Sequence, residues 1–292
     1  MKIQFLLVPY DSGRREWRMG RGPSYLLRHG VGSSLRALGH EVDAEYVEPG
    51  GLDGPNPPAS AEIATSFSLY RQVAVRARAA RANGALPIVL GGNCGVTLGA
   101  IAAATMTGRG DLGVLWLDAH ADFNTPETTV SGFLDGMGLA VLTGRCWRSL
   151  AMSIPGFAAM ADANVVLGGA RDLDPAEEML LEASGVRVVR GSSIRTAGVA
   201  ESLAPALESL RGHVSRLHFH LDADVLDENE GRANAFAAPG GLTSAELVEV
   251  ARLAARRFDI VSAAVTAYDP AIDTTSALPA AIACALEALV SR

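Results

Sequence analysis

The sequence predicts an α/β fold: a mostly parallel sheet covered by helices on both faces. Three observations carry the expectation. Short β-rich runs alternate with Ala-, Leu- and Arg-rich runs at helical spacing along the chain. Polar and acidic residues gather where the β-rich runs end, the position that ligands take in open α/β sheets. The 292 residues are 49% hydrophobic and 20% charged, enough to bury a large core within one α/β domain.

In chain order, strands are expected at Ile3–Val8, Leu86–Leu90, Leu112–Leu117, Asn164–Leu167, Arg187–Val189, Arg216–Leu221 and Ile260–Val265. Helical spacing predicts helices at Tyr25–Leu38, Ala61–Asn83, Pro175–Ala183, Glu201–Leu210 and Ser244–Arg257. Two helix starts carry cap signals. Thr243-Ser244 precedes an amphipathic run, and Asp174-Pro175 sets a carboxylate before a proline at the first helical position, with Glu177 placed to complete a box. Glu48–Ser60 reads as a Gly/Pro-rich surface loop, too short for a domain boundary. With no internal repeat, residues 1–292 read as a single domain.

The bulk numbers exclude several classes. A net charge of -7 argues against nucleic acid or an anionic membrane as partner, since both need clustered Lys and Arg. The apolar stretches are too interrupted to span a bilayer, and the opening MKIQFLLVPYDSG reads as a first strand, not a signal peptide core. Cys94, Cys146 and Cys284 are an odd, scattered set, which points to a reducing compartment and a cytoplasmic setting.

The chemistry concentrates in two clusters. In the first, a hydrophobic run enters Asp118-Ala-His120-Ala-Asp122. Alternation puts the three polar side chains on one side if the chain stays extended, and two carboxylates with an imidazole suit a first-row divalent ion. In the second, an apolar run carrying His218 and His220 ends in Asp222 and Asp224, which would repel one another if buried without a cation. The two histidines read as hydrogen-bonded core or outer-sphere residues more readily than as ligands. Together the clusters predict two divalent metal ions, bridged by carboxylates about 3.5 Å apart, which acidify a shared water for attack on an sp2 carbon.

The ordered segments Pro9-Tyr-Asp, Gly20-Arg-Gly-Pro23, Gly91-Gly-Asn-Cys-Gly-Val-Thr-Leu-Gly99, Asp118–Asp122, Asp222–Asp227 and Gly240-Gly-Leu-Thr243 resemble the arginase (ureohydrolase) family over nearly the whole chain. The resemblance implies a three-layer α/β/α fold, two manganese ions, a trimer or hexamer and a small-molecule substrate. It implies bridging roles for Asp118 and Asp222, with His120 and Asp224 completing one ion and Asp122 and Cys94 at the other. Asn124, Thr129 and Ser131 match residues that read an α-carboxylate, and Asp172, Asp174 and Glu177 lie in a segment that receives an α-ammonium. Thr243, in the downstream turn, is grouped with the substrate-binding residues, and Asp122 and Asp135 with the catalytic ones. For Asp174 and Glu177 the helix cap and the ammonium site can both hold.

Three positions depart from the family. Cys94 stands where a metal-binding histidine is expected, and thiolate is soft where manganese is hard; a small buried residue without a metal bond is the equal alternative. Asp135 stands where a proton-shuttling histidine is expected, and with an ordinary pKa of about 3.9 needs burial or a nearby anion to hold a proton. Ala267 replaces the glutamate that pairs with the guanidinium. The expected function is therefore C–N bond cleavage in arginine or N-hydroxyarginine by metal-activated hydroxide. The alternatives are another guanidino, amidino or formimidoyl substrate, or a non-catalytic relative.

Overall fold

The computed structural model describes residues 1–50, 61–106 and 110–291. An eight-stranded sheet, parallel in every pairing, has the order β4-β1-β5-β10-β9-β6-β7-β8. Its strands are β1 (Lys2–Val8), β4 (Glu41–Tyr46), β5 (Ala85–Gly91), β6 (Leu112–Leu117), β7 (Val165–Gly168), β8 (Arg187–Val189), β9 (Arg216–Asp222) and β10 (Asp259–Thr266). A two-residue ladder, β2 (Tyr10–Asp11) with β3 (Arg14–Arg15), folds the first loop back beside the sheet.

Strand alternation divides the core into two. On one face Ile3, Phe5 and Leu7 pack with α1 (Gly22–Leu26), α2 (Gly32–Ala37), α8 (Gly191–Ser202), α9 (Ala204–Arg211), α10 (Ser244–Arg257) and α11 (Leu278–Val290). On the other, Leu6 and Val8 pack with α3 (Glu62–Ala82), α4 (Thr97–Thr105), α5 (Gly138–Leu142), α6 (Arg148–Ala151) and α7 (Pro175–Glu182). The result is the three-layer α/β/α arrangement. Because the strands are parallel, β5, β6, β9 and β10 all end on one side, where a cavity opens.

All seven expected strands form. The helix expected at Tyr25–Leu38 is broken, because His29 and Gly30 leave helical geometry, with Gly30 at φ +124°. The run expected at Glu201–Leu210 spans the end of α8 and α9. The sequence reading omitted β4, whose acids mask its pattern, and α4 and α11, which are too uniformly apolar to show a polar face. Most of the expected Glu48–Ser60 loop, residues 51–60, lies outside the described residues. No helix among the described residues is long and apolar enough to cross a membrane.

Candidate metal centre

The first cluster is built by a turn. β6 ends at Leu117 and the chain bends at once, with Asp122 in the left-handed region at φ +49°. The extended alternation expected for Asp118, His120 and Asp122 does not occur. Instead the Asp118 carboxylate holds the bend: Oδ1 accepts the His120 N–H at 2.8 Å, and Oδ2 accepts the Trp116 indole N–H at 3.1 Å. The second cluster is also a turn. Asp222 Oδ1 accepts the Asp224 N–H at 2.8 Å, capping a 3-10 turn over Ala223–Val225.

The two turns meet. Asp224 Oδ1 accepts the Ala119 N–H at 3.2 Å, and Oδ2 accepts Asn234 Nδ2–H at 3.1 Å. His120 Nδ1 lies 3.3 Å from Asp118 Oδ1 and 3.5 Å from Asp224 Oδ2. From the end of β5, Cys94 Sγ donates to Asp222 Oδ2 at 2.9 Å and contacts Thr266 Oγ1 at 3.2 Å. Here Gly92 is needed for packing, since a Cβ on it would sit 2.2 Å from the Tyr10 carbonyl oxygen. Asp118, His120 and Asp224 offer ligand atoms within 4.8 Å of one another, as do Cys94, Asp118 and His220, so Asp118 belongs to both groups.

Electrostatics marks the same residues. Burial first, then the surrounding carboxylates, push Asp122 and Asp222 well above the usual carboxylate range and raise Asp118. Burial opposes charge on His120, but Asp224 and Asp118 outweigh it and lift the imidazolium to about 10. The reverse pull of His120 helps hold Asp224 below its ordinary value against burial. Asp122 Oδ2 is buried with no hydrogen-bond partner. The guanidinium of Arg171 donates to backbone carbonyls, among them Asp224 O and Ala238 O at 2.7 and 2.8 Å. A buried set of hard oxygen donors, short of positive charge and with an orphaned carboxylate oxygen, fits divalent cations.

Asp135 lies beside this set. Its Oδ2 accepts Asn93 Nδ2–H at 2.8 Å and its Oδ1 the Gly95 N–H at 3.2 Å. Burial raises it to about 7, against those two hydrogen bonds. His218 and His220 are fully buried and kept neutral by burial, with Nδ1 bonded to Ser262 and Thr97 hydroxyls, each at 2.7 Å.

A cavity of about 610 Å³ opens over the centre, with Cys94, His120, Asp122, Asp135, Asp222 and Asp224 at its base. Asn124, Thr129, Ser131, Asp172, Asp174 and Glu177 line one wall. That wall is braced: Asn124 Nδ2–H donates to Asp174 Oδ2 at 3.0 Å, and Glu177 Oε1 accepts the Phe123 N–H at 2.8 Å. Asp174 and Glu177 also form the capping box of α7. Asp118 lies beneath the surface, and Ala267 lines the cavity at φ +61° with no carboxylate to offer. Thr243 is not brought to the cavity: it is exposed and caps α10 through Glu246.

Sequence reasoning missed Trp116, Asn93 and Asn234, which orient carboxylates. It also missed the rim, where Phe133 stacks on Phe236 and Arg18 lies over Trp17 while paired to buried Asp11. Asn93, inside the Gly-rich segment, and Asp11, in Pro9-Tyr-Asp, stood in motifs; Asn234 and the aromatic rim take meaning from tertiary contact.

The family model for the arginase family matches residues 1–290. The chain belongs to the arginase family. It is 34% identical to an arginase of Brucella melitensis over 84% of this chain and 81% of that one. It is 28% identical to human arginase-1 over 84% and 77%. Among solved structures, an arginase of Bacillus subtilis superposes with a TM-score of 0.89 at 26% identity, covering 100% of this chain and 99% of that one. A formimidoylglutamase of the same organism shares the fold at a TM-score of 0.75 and 19% identity, covering 99% and 85%. Arginase-family proteins are binuclear, metal-dependent amidinohydrolases, and this chain is a hydrolase of that family.

Proposed function

We propose that residues 1–292 form one catalytic unit that hydrolyses the C–N bond of a guanidino-type α-amino acid, arginine or N-hydroxyarginine. One observation carries this reading: a single cavity joins the buried carboxylate cluster to a wall of amide, hydroxyl and carboxylate groups suited to an α-amino acid. Asp118, His120, Asp122, Asp222, Asp224 and Cys94 would hold two divalent ions, manganese by family resemblance. Bound there, the ions supply Lewis acidity and an acidified water beside the amidine carbon.

The chain's own residues do the rest. Asn124, Thr129 and Ser131 bind the α-carboxylate with neutral donors, while Asp172, Asp174 and Glu177 receive the α-ammonium. Asp122, which lines the cavity and carries an unpartnered carboxylate oxygen, would serve the metal centre. Asp135, held beside the carboxylate set by Asn93 and the Gly95 N–H, is placed to pass a proton to the leaving amine. Ala267 leaves the distal end of the substrate without a carboxylate partner, which favours the less basic hydroxyguanidine of N-hydroxyarginine over arginine.

The test is hydrolysis of arginine, N-hydroxyarginine, agmatine and formimidoylglutamate side by side, with metal content read on the same sample. Preference for N-hydroxyarginine with about two metals per chain is expected. Preference for agmatine would refute the amino-acid wall. No turnover, with less than one metal bound, would mark a non-catalytic relative. Family resemblance further supports a trimer or hexamer, and the sparse, scattered cysteines a cytoplasmic setting, which light scattering and cell fractionation test.

A further inference from the structure

The two groups of candidate ligands that share Asp118 differ in chemistry. Asp118, His120 and Asp224 offer two carboxylates and an imidazole. Cys94, Asp118 and His220 offer a sulfur, an oxygen and a second imidazole, all three side chains buried. The Asp118 carboxylate faces both. Its Oδ1 is the atom beside His120, and its Oδ2 accepts from Trp116, whose ring stacks on His220 at 3.8 Å between centroids. We infer that the centre is asymmetric, and that Cys94, His220 and Asp118 form a binding position for a borderline-soft dication such as zinc or cobalt. This rests on the reading that the carboxylate cluster holds metal ions, and it assigns the softer ion to one side.

Two independent observations single out His220. Its Nε2 is buried with no hydrogen-bond partner, while Nδ1 is held by Thr97 Oγ1 at 2.7 Å, the arrangement that fixes a ligand imidazole in one tautomer. A ligand atom of the same ring also lies within 4.8 Å of both Cys94 Sγ and an Asp118 oxygen. His218, two residues earlier on β9, supplies the contrast. Its Nε2 is equally unpartnered, but it joins neither group. Orphaning alone is therefore not the argument; orphaning beside a thiol and a carboxylate is.

Of the three ligands Cys94 lines the cavity, beside its partner Asp222, so the position adjoins the cavity through the thiol. On binding, the Cys94 S–H bond breaks, its proton passes through Asp222 to solvent, and the thiolate lone pair bonds the ion. Sulfur with imidazole selects zinc or cobalt over manganese, which prefers oxygen donors. Thus Cys94 moves sulfur into the centre while His220 brings in an imidazole from the neighbouring strand.

The test titrates the metal-stripped full-length protein with cobalt, following thiolate-to-cobalt charge-transfer absorption in the near ultraviolet, with metal analysis in parallel. The expected result is a charge-transfer band for one of the bound equivalents. Zinc should displace that equivalent and excess manganese should not. Cys94→Ser should abolish the band, and His220→Asn should shift it and weaken cobalt binding by about 10–100-fold or more. Cobalt bound without a thiolate band, in the unmodified protein, would overturn this inference and leave the carboxylate centre standing. No cobalt bound at all would overturn both.

Discussion

Asp222→Asn separates the metal-free from the metal-loaded protein more sharply than any other single change. In the absence of metal, Asp222 is buried among Asp224 and Asp118, and its carboxyl is held well above the usual range. A carboxyl with a raised folded-state pKa costs stability as pH rises through its unfolded value of about 3.9, up to its folded value. Asparagine lacks that charge yet keeps an oxygen to accept the Asp224 N–H. The metal-free variant at pH 8 should therefore be more stable than the parent by about 1–3 kcal/mol, the scale of an uncompensated buried polar group. At roughly 2 °C per kcal/mol for a chain this size, Tm rises by about 2–6 °C.

With metal present the order reverses. Each ion at 100 times its Kd stabilises the parent by about 2.7 kcal/mol, or roughly 5 °C, so two ions outweigh the variant's advantage, and the variant, lacking a ligand, gains little. Thermal melts of both proteins, stripped by chelator and metal-replete, read this crossover. A metal-free variant that melts below the parent, or equal stabilisation of both by metal, would refute the reasoning.

Three further predictions concern the same site. Because Asp122, Asp222 and Cys94 are all pushed up, metal binding should release about two or more protons, and affinity should fall as pH falls from 8 to 6; calorimetry in buffers of different ionisation enthalpy checks both, and zero proton release would contradict it. Trp116→Phe removes the donor to Asp118 Oδ2 and should weaken metal binding about 10-fold while costing roughly 1 kcal/mol of stability, read by metal titration and urea unfolding. Ala267→Glu supplies a charge-assisted partner and should improve kcat/KM for arginine by about 10–100-fold relative to N-hydroxyarginine; unchanged selectivity would place the guanidinium elsewhere in the cavity.

The sheet and the donor clusters were legible for one reason: both depend on local pattern. An apolar run that stops abruptly at Asp118 or Asp222 announces a buried strand and the cleft beyond it. What was not legible depends on contact between distant segments. The expected alternation from Asp118 to Asp122 gave way to a bend, because the carboxylate finds the His120 N–H two residues on, a choice no periodicity encodes. Asp174 and Glu177 were readable as a cap, and the same two side chains also line the cavity wall, a coincidence only the fold displays. Asn234 reaches Asp224 from a loop without motif. β4 went unseen because Glu41, Asp43 and Glu45 face away from the core at the sheet edge.

The position of β10 has a consequence for how the protein is made. It is the last strand in the chain, yet it lies between β5 and β9. Until residues 259–266 leave the ribosome, β4-β1-β5 and β9-β6-β7-β8 are two half-sheets, each with an unsatisfied inner edge. Cys94 follows the end of one half, and Asp118 and Asp222 lie at the ends of strands in the other. The centre therefore cannot assemble before β10 has left the ribosome. Any ion must arrive after that point, and a truncation that removes β10 should leave two sticky half-sheets and no place for metal.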